Sequence, residues 1–308
     1  MKNNKIVLEI DKVSHWFGDN FVLNEVDLQV PEGQILSLVG PSGCGKSTLL
    51  KAILGTHPAN DGVIKVAGKL HQSPTRNVGI VYQHYHLPPF LTTRENVALG
   101  LKLDQTSLPF RLFRYDKWRK LKKDHLEQAT AFLETVNLKD KGDLYPHELS
   151  GGMRQRVAIA QAMIMEPDVL LLDEPFGALD EETRERLQEL LLGFYQANEV
   201  AVEKGEKPPN TIVIVTHELT EALIVADRVV GLSQFHSDGK RGATIVLDEP
   251  APIFEPGFER ELLQFNEQKE RLRHAVFNPA VNQHRDEFRS YWKEHQREKS
   301  QATQISEG

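Results

Sequence analysis

Two kinds of apolar pattern occur along the chain. Residues 5–30 and 63–68 alternate apolar and polar positions, as in "KIVLEIDKV" and "VIKVAG", which predicts antiparallel strands with one exposed face. Five other runs are short and almost continuously apolar: "QILSLVG", "NVGIVYQ", "DVLLLDE", "NTIVIVTH" and "DRVVGLS". Such runs are typical of strands buried on both faces of a parallel sheet. Helix-period segments separate several of them, so the pattern predicts an α/β core with an added antiparallel β lobe.

The pattern becomes helical between about residues 90 and 160, where "TTRENVALGLKL" and "KWRKLKKDHLEQATAFLETVNL" lie and no strand-like run occurs. We expect a helical subdomain inserted into a first domain of residues 1–245. A break at "PAPIFEPGFE" precedes two helical stretches, about 258–277 and 280–297, divided by Pro279. Residues 250–308 are therefore predicted to form a C-terminal helical extension that folds back on the first domain and ends in a disordered tail.

Size and composition are those of an ordinary globular protein, with 308 residues, 40% hydrophobic and 26% charged. The net charge of -7 argues against a nucleic-acid backbone as partner. No run approaches the roughly 18 apolar residues of a membrane span, and charges interrupt the N-terminal segment where a secretory signal would be apolar. We therefore expect a cytoplasmic protein. The single cysteine, Cys44, cannot form an internal disulfide.

The segment "LVGPSGCGKSTLL" places glycines, a lysine and two hydroxyls between a strand-like and a helix-like run. Its pattern of Gly40, four residues, Gly45, Lys46 and Ser47 predicts a phosphate-binding loop, in which Lys46 reaches the β- and γ-phosphates and Ser47 binds Mg²⁺. A glycine-rich turn with a solvated lysine is the alternative. The candidate nucleotide-binding residues of this loop are Gly40, Pro41, Ser42, Gly43, Cys44, Gly45, Lys46, Ser47 and Thr48.

Two adjacent carboxylates, Asp173 and Glu174, end the apolar run "VLLLDE". Successive side chains at the end of a strand point in opposite directions, so the two can have different roles. We expect Asp173 to hold Mg²⁺ and Glu174 to activate the attacking water as a general base. The alternative is that both carboxylates cap a helix.

A second candidate anion site lies in "ELSGGMRQRVAIAQAM", where Ser150 precedes Gly151, Gly152 and a helix-like run. A hydroxyl, free backbone N–H groups and a positive helix end together favour a bound phosphate. An ordinary helix N-cap explains the serine alone but leaves the two glycines unexplained.

These residues resemble the ATP-binding subunits of ABC transporters, because six motifs occur in that family's order. They are the Walker A loop at Gly40–Thr48, the Q-loop at Gln83, the signature at Leu149–Met153, Walker B at Val169–Glu174, the D-loop ending at Asp180, and the H-loop at His217. The resemblance implies a P-loop NTPase ABC cassette with a RecA-like parallel-sheet core, an antiparallel β lobe and an inserted helical subdomain. Met153 and Gln161 depart from the commonest pattern without removing a phosphate ligand.

The resemblance also implies roles for single residues. Two cassettes are expected to pack head to tail around two ATP molecules, with Ser150 of one completing the phosphate site of the other. His217 would act with Glu174 in catalysis as a sensor of the γ-phosphate, and Gln83 would contact both nucleotide and Mg²⁺. Asp180 is expected at the nucleotide interface. The metal ligands implied are Ser47, Gln83 and Asp173.

An aromatic residue just before Gly18 would stack on adenine in such a cassette, which indicates Phe17. Trp16 is the nearby alternative, and a plain core aromatic is another. Neither periodicity nor spacing decides among the three.

The function implied is ATP hydrolysis that drives a membrane transporter, and "LSGGMRQR" followed by "DEPFGALD" is similar to importers of nitrate, sulfonate or taurine. The partners implied are transmembrane permease subunits, a second identical cassette and a solute-binding protein, without nucleic acid. The chain would lie at the inner face of the cell membrane. The alternatives are an exporter cassette, an ABC-type ATPase acting on nucleic acid or ribosomes, and a kinase that uses only the phosphate loop.

Residues 109–125, "PFRLFRYDKWRKLKKDH", interleave basic and aromatic side chains outside the matched motifs. The segment could meet anionic lipid headgroups or the transmembrane partner. A solvated helix face with a few core aromatics explains the same pattern.

Overall fold

The protein contains two β-sheets and a group of helices, described by a computed structural model over residues 5–177, 179–234, 242–251 and 262–277. The strands are β1 (Ile6–Phe17), β2 (Asn20–Pro31), β3 (Ile35–Val39), β4 (Asp61–Val66), β5 (Lys69–Leu70), β6 (Val78–Val81), β7 (Val169–Asp173), β8 (Ile212–Thr216), β9 (Arg228–Ser233) and β10 (Thr244–Pro250). The helices are α1 (Lys46–Leu54), α2 (Thr93–Val97), α3 (Leu99–Gln105), α4 (Leu108–Phe113), α5 (Tyr115–Thr135), α6 (Gly151–Met163), α7 (Glu181–Glu203), α8 (Leu219–Val225) and α9 (Leu262–Leu272). Short helical turns occupy Lys139–Lys141, Pro146–Glu148 and Arg273–Phe277.

The larger sheet has the strand order β10-β9-β3-β8-β7-β6. The five continuous apolar runs form β3, β6, β7, β8 and β9, and each pairs in parallel with its neighbours among them. Every residue of β3 and β8 is buried, as expected for strands covered on both faces. The α/β fold prediction is therefore confirmed. The sequence did not predict β10, which pairs antiparallel with β9 at the edge.

The smaller sheet has the order β2-β1-β4-β5, and its strands are antiparallel. It forms the predicted β lobe. A buried arginine connects this lobe to the larger sheet: Arg228 on β9 donates from Nε to Asp248 Oδ1 at 2.6 Å and from Nη1 to the carbonyl of Gln29 on β2 at 2.7 Å. Arg228 thus joins β2 of the smaller sheet to β9 and β10 of the larger one.

Helices α2 to α6 occupy the segment between β6 and β7 that was predicted to be helical. The residues 92–103, predicted to be helical, form two helices that meet at Ala98. Side chains from these helices, such as Leu133 and Val157, share one hydrophobic core with Leu172 and Phe176 of the sheet region. None of the described helices is long and apolar enough to cross a membrane.

The C-terminal segment packs on the larger sheet through α9 and the turn that follows it. Phe265, Leu272 and Val276 are buried, and Ser233 donates a hydrogen bond to the carbonyl of Val276 at 2.8 Å. A Cβ atom on Gly231 would lie 2.3 Å from Val276 Cγ2, so glycine is needed on β9 for this close approach. The second predicted helix, 280–297, and the predicted disordered tail lie outside the described residues.

Candidate functional site

The residues singled out from the motifs converge on one edge of the larger sheet. The phosphate loop follows β3, His217 follows β8, Asp173 ends β7 and Gln83 follows β6. These four strands are parallel neighbours, so their carboxyl ends meet at the same edge. This edge is where α/β proteins bind ligands. The topology therefore brings together residues that are as far apart in sequence as Gly40 and His217.

The phosphate loop leads directly into α1, whose N-terminus carries no side-chain cap and no acidic residue in its first turn. The first N–H groups of a helix have no partner within the helix. The N-cap Gly45 has φ of 101°, and Gly43 has φ of 81°, where an added Cβ would meet no atom within 4 Å. An uncapped, positively polarised helix end beside open space fits a bound anion such as the phosphates of ATP.

Lys46 is buried and donates from Nζ to the carbonyls of Gly40 at 2.7 Å and Pro41 at 3.0 Å. Its ammonium group is thus held over the loop by neutral acceptors rather than by a carboxylate. Gly40 is required by packing, because a Cβ there would lie 2.3 Å from the carbonyl oxygen of Leu232. Cys44 is buried behind the loop, and burial raises the pKa of its thiol. Cys44 therefore has a packing role, and its contribution to a phosphate site is limited to its backbone.

Asp173 is half-buried at the end of β7. Burial raises the pKa of its carboxyl, the adjacent Glu174 raises it further, and Lys46 and Lys51 oppose both effects. A bound cation favours the charged carboxylate. Ser47, whose side chain is exposed at the start of α1, is the hydroxyl proposed to share that cation. Oxygen ligands of this kind, few in number and completed by phosphate, fit Mg²⁺.

Glu174 lies between two other predicted residues. Its Oε1 is 3.3 Å from His217 Nδ1, and its Oε2 is 3.5 Å from Gln83 Nε2. The backbone of Glu174 has φ of 46°, a conformation that is strained for a residue with a side chain. Its N–H donates to the carbonyl of Val215 at 2.8 Å, which fixes this turn to β8. The structure therefore brings Gln83, Glu174 and His217 together around one carboxylate.

The predicted second anion site, at Ser150, Gly151 and Gly152, lies at the start of α6 and next to α7. Ser150 caps α6 by accepting a hydrogen bond from the N–H of Met153 at 3.3 Å. A Cβ on Gly151 would meet no atom within 4 Å, whereas a Cβ on Gly152 would lie 1.8 Å from Thr183 Cγ2 on α7. Gly152 is thus needed for helix packing within the chain, while Ser150 and Gly151 border open space. Among the described residues, neither Ser150 nor Gly151 forms a hydrogen bond or an ion pair with the phosphate loop.

Asp180 precedes α7 and caps it, accepting a hydrogen bond from the N–H of Thr183 at 2.9 Å. This hydrogen bond lowers the pKa of its carboxyl. The structure therefore gives Asp180 a local capping contact and places it beside the helix that meets Gly152.

The aromatic candidates lie in the hairpin between β1 and β2. Phe17 is 52% exposed, whereas Trp16 is half-buried with its ring centroid 5.2 Å from that of Phe21. The hairpin lies against the phosphate loop, because a Cβ on Gly45 would be 3.0 Å from Val22 Cγ1. An exposed ring in a hairpin that touches the phosphate loop is suited to stacking on a nucleotide base.

Sequence reasoning missed Gln155, a buried polar residue on α6. Its amide accepts from the hydroxyl of Tyr85 at 3.3 Å and donates to the carbonyl of Pro175. Gln155 thus connects the helix that begins at the candidate signature to the peptide directly after Glu174. Its place in "RQR" gave no signal, because periodicity does not show which polar residue of a helix is buried.

A second missed network connects α7 to α8. Arg184 donates from Nη2 to the carbonyl of Leu179 at 3.1 Å, and its Nε lies 3.3 Å from Glu221 Oε1 without being aligned as a hydrogen-bond donor. Glu221 Oε2 accepts from the hydroxyl of Thr216 at 3.1 Å. Thr216 directly precedes His217. The network therefore runs from the segment before Asp180 to the end of β8.

The chain is similar in sequence and fold to known proteins. The family described as ABC transporter matches residues 23–177, half of the chain. The chain is 40% identical over 226 residues to the sulfate/thiosulfate import ATP-binding protein CysA of Pectobacterium atrosepticum, covering 72% of this chain and 62% of that protein. It is 38% identical over 251 residues to the nitrate import ATP-binding protein NrtD of Synechocystis, covering 80% of this chain and 85% of that protein.

A solved structure of the ATP-binding cassette MJ0796, a dimer in a post-hydrolysis state bound to ADP and Pi, is similar with a TM-score of 0.60 and 27% identity. The similarity covers 80% of this chain and 100% of that one. Because the chain spans only 62% of the sulfate/thiosulfate relative, that protein has a further part without a counterpart in the match.

Proposed function

Because the chain belongs to the ABC transporter family of ATP-binding cassettes, we propose that it hydrolyses ATP as the energising subunit of a membrane importer. One observation carries the proposal: the phosphate loop, Asp173, Glu174 and His217 share one edge of the sheet, while Ser150 and Gly151 border open space elsewhere. The chain thus has two half-sites for phosphate that do not contact each other. Two copies packed head to tail would complete both.

We infer that ATP binds with its phosphates on the N–H groups at the start of α1 and with Lys46 near the β- and γ-phosphates. The adenine ring of ATP would stack on an aromatic side chain of the β1–β2 hairpin, with Phe17 the more exposed candidate. Mg²⁺, held by Ser47, Asp173 and Gln83, would neutralise the charge of the β- and γ-phosphates. The proposed opposite wall of the site is Ser150 with Gly151 of the second copy.

Glu174 is the proposed general base. Its carboxylate would accept a proton from the attacking water, and His217, 3.3 Å from Oε1, would orient that carboxylate and the γ-phosphate. The hydrogen bond of the Glu174 N–H to Val215 holds the base in place during turnover. We place Asp180 in the same interface, next to the nucleotide of the partner.

The proposed partners are a second identical cassette, transmembrane permease subunits and a solute-binding protein, with the chain at the inner face of the membrane. The dimeric cassette of similar fold supports the first of these. The relatives named for import of sulfate, thiosulfate and nitrate favour a small oxyanion such as nitrate, a sulfonate or taurine as the solute. Detergent extraction of the native complex tests the partners, because a multispanning protein should co-purify and RNA should not.

The substitution Glu174→Gln tests the catalytic proposal. It removes the proton acceptor while keeping the shape of the side chain, so ATP hydrolysis should fall about 10²–10⁴-fold. ATP should still bind and should now trap a dimer, measured by gel filtration with light scattering in the presence of Mg²⁺ and ATP. The matched control is Glu203→Gln, which removes an exposed carboxylate near the end of α7. It should leave both hydrolysis and dimerisation unchanged.

Near-normal hydrolysis by the Glu174→Gln protein would remove Glu174 from the role of base. Full hydrolysis by a strictly monomeric protein, with Ser150→Ala active, would exclude the shared site. Either result would contradict the proposal.

A further inference from the structure

Residues 109–125, here called the basic segment, form a charged surface that the nucleotide site does not use. The segment carries seven basic and two acidic side chains in a chain whose net charge is -7. It comprises most of α4 and the first half of α5. Positive charge is therefore concentrated in this segment of an acidic chain.

The two helices of the basic segment are fixed to each other by Arg111. Its guanidinium donates to Thr106 Oγ1 at 2.8 Å and to the carbonyls of Lys102 and Thr106, each at 2.9 Å. The same group lies 5.6 Å from the ring centroid of Trp118 on α5, a cation–π arrangement. Arg111 and Trp118 are thus structural, and they hold the junction between α4 and α5 in one geometry.

Two aromatic side chains project from that junction. Phe113 is 84% exposed and Tyr115 is 63% exposed, on either side of Arg114. Exposing a phenylalanine ring to this extent forgoes most of the free energy that its burial would provide. Large exposed apolar groups beside polar ones indicate an interaction surface.

The basic side chains of the segment divide into two groups. Lys122 lies 3.6 Å from Glu95, and Lys123 lies 3.5 Å from Glu127. Apart from Arg111, which is hydrogen-bonded to Thr106 and to the carbonyl of Lys102, the others have no carboxylate within 4.0 Å in the part of the chain that the structure describes. These unpaired and exposed residues are Arg114, Lys117, Arg119 and Lys120.

The unpaired charges also oppose the dipole of α5. Arg114 is its N-cap residue without a side-chain cap, and Asp116 is the single acidic residue of the first turn. Cations near the positive end of a helix are unfavourable, whereas an anion there is favourable. Lys117 and Lys120 are three residues apart, so like charges are neighbours on one face. An external anionic surface would relieve both repulsions.

We propose that the basic segment binds directly to the anionic phospholipid surface of the membrane, with Phe113 inserted between the headgroups. The choice of lipid as the partner rests on the proposed function, which places the chain at a membrane. The chemistry matches, because basic side chains attract anionic headgroups and an exposed phenylalanine enters the interfacial layer. Each unpaired basic residue strengthens binding about fivefold.

The test measures co-sedimentation of the full chain with vesicles, without ATP or permease, so its outcome does not depend on the ATPase proposal. Vesicles contain either phosphatidylcholine alone or phosphatidylcholine mixed with phosphatidylglycerol. We expect binding to the anionic vesicles only, weakened by added salt. The triple variant Lys117→Gln, Arg119→Gln, Lys120→Gln should bind roughly a hundredfold more weakly. Phe113→Ser should weaken binding about tenfold with less change in its salt dependence.

The matched control removes three exposed lysines elsewhere: Lys12→Gln, Lys69→Gln and Lys204→Gln. This variant has the same net charge as the first and should bind like the parent protein. Circular dichroism and the thermal midpoint show that both variants are folded. Binding that is lost equally in both triple variants would overturn the proposal. So would the absence of binding to anionic vesicles, or a basic segment that instead binds a single-stranded RNA oligonucleotide or only the isolated permease.

Discussion

The contact between Arg184 and Glu221 offers a sharp test of how α7 and α8 are coupled. The perturbation is Arg184→Met, which keeps an apolar stem in place and removes the guanidinium. It takes a cation away from the carboxylate of Glu221, whose side chain is 11% exposed, and a hydrogen-bond donor from the carbonyl of Leu179. We therefore expect a loss of folding stability and not only a loss of surface charge.

The magnitude follows from the burial of the two partners. Breaking a fully buried ion pair costs about 3–5 kcal/mol, while an exposed pair contributes about 0–1 kcal/mol. Arg184 is 38% exposed and Glu221 is buried. The loss of unfolding free energy expected for Arg184→Met therefore lies between these limits, at about 2 kcal/mol. Glu221→Gln keeps an oxygen that can accept from Thr216 and leaves only a half-exposed arginine unpaired. The Glu221→Gln substitution should therefore lower the free energy of unfolding by less than about 1 kcal/mol.

The assay is a double-mutant cycle of these two substitutions, with stability measured by urea unfolding and by the thermal midpoint. The double variant should be more stable than the sum of the single effects predicts, with a coupling energy of about 1–2 kcal/mol. The Arg184→Met variant should lose roughly 5 °C in thermal midpoint. Strict additivity of the two substitutions would refute the reasoning, because it would mean that the 3.3 Å contact carries no energy.

The same cycle predicts a pH dependence with a defined sign. Burial raises the pKa of Glu221, and the hydroxyl of Thr216 and the charge of Arg184 lower it in part. A carboxyl whose pKa is raised on folding adds stability at low pH, and this contribution is lost as the pH rises through the folded value. Arg184→Met raises the pKa of Glu221 further. The stability deficit of the Arg184→Met protein should therefore shrink as the pH is lowered below neutral, and this change should vanish in the Glu221→Gln background.

Two further substitutions test the residues that join α6 to its surroundings. Gly152→Ala should destabilise the fold by about 1–3 kcal/mol, because its Cβ would lie 1.8 Å from Thr183 Cγ2. Adding Thr183→Ser to this variant removes that methyl group and should restore the thermal midpoint. A Gly152→Ala protein as stable as the parent would contradict the packing argument. Gln155→Leu leaves the carbonyl of Pro175 without this donor, so kcat for ATP hydrolysis should fall at least about tenfold with KM for ATP nearly unchanged. An unchanged kcat would show that Gln155 does not position the segment after Glu174.

The core of the fold follows from the sequence because burial on both faces leaves a direct signal. Continuous apolar runs such as "TIVIVT" occur where neighbouring strands and covering helices exclude water. The edge strand β10 has one paired side and ends in "DEP", so its pattern is weaker. The helix boundary at Ala98 leaves no signal in the sequence, because the apolar periodicity continues across it and the capping box of Thr92 and Glu95 defines only the first start.

Some features of the candidate site can also be predicted from the sequence, and others cannot. Residues that end buried strands, such as Asp173 and His217, can be placed from the sequence, since parallel strands present their carboxyl ends at one edge. The contact between the side chains of Gln83 and Glu174 cannot, because strand order does not give the direction of a side chain in the loop that follows a strand. The motifs identify the candidate residues, and the strand order shows which of them lie close together.

The two networks that the sequence did not reveal lead to the same carboxylate from different directions. Gln155 ties the helix of the signature segment to the peptide after Glu174, and Arg184 ties the segment before Asp180 to the strand that ends next to His217. If a second copy contacts Ser150 and Asp180 as proposed, each network would transmit that contact to a residue beside the base. Gln155 is the firmer of the two connections, because its amide oxygen and nitrogen both have partners, whereas Arg184 Nε has no aligned acceptor. Substitutions at Gln155 should therefore change turnover without touching nucleotide, which separates positioning from binding.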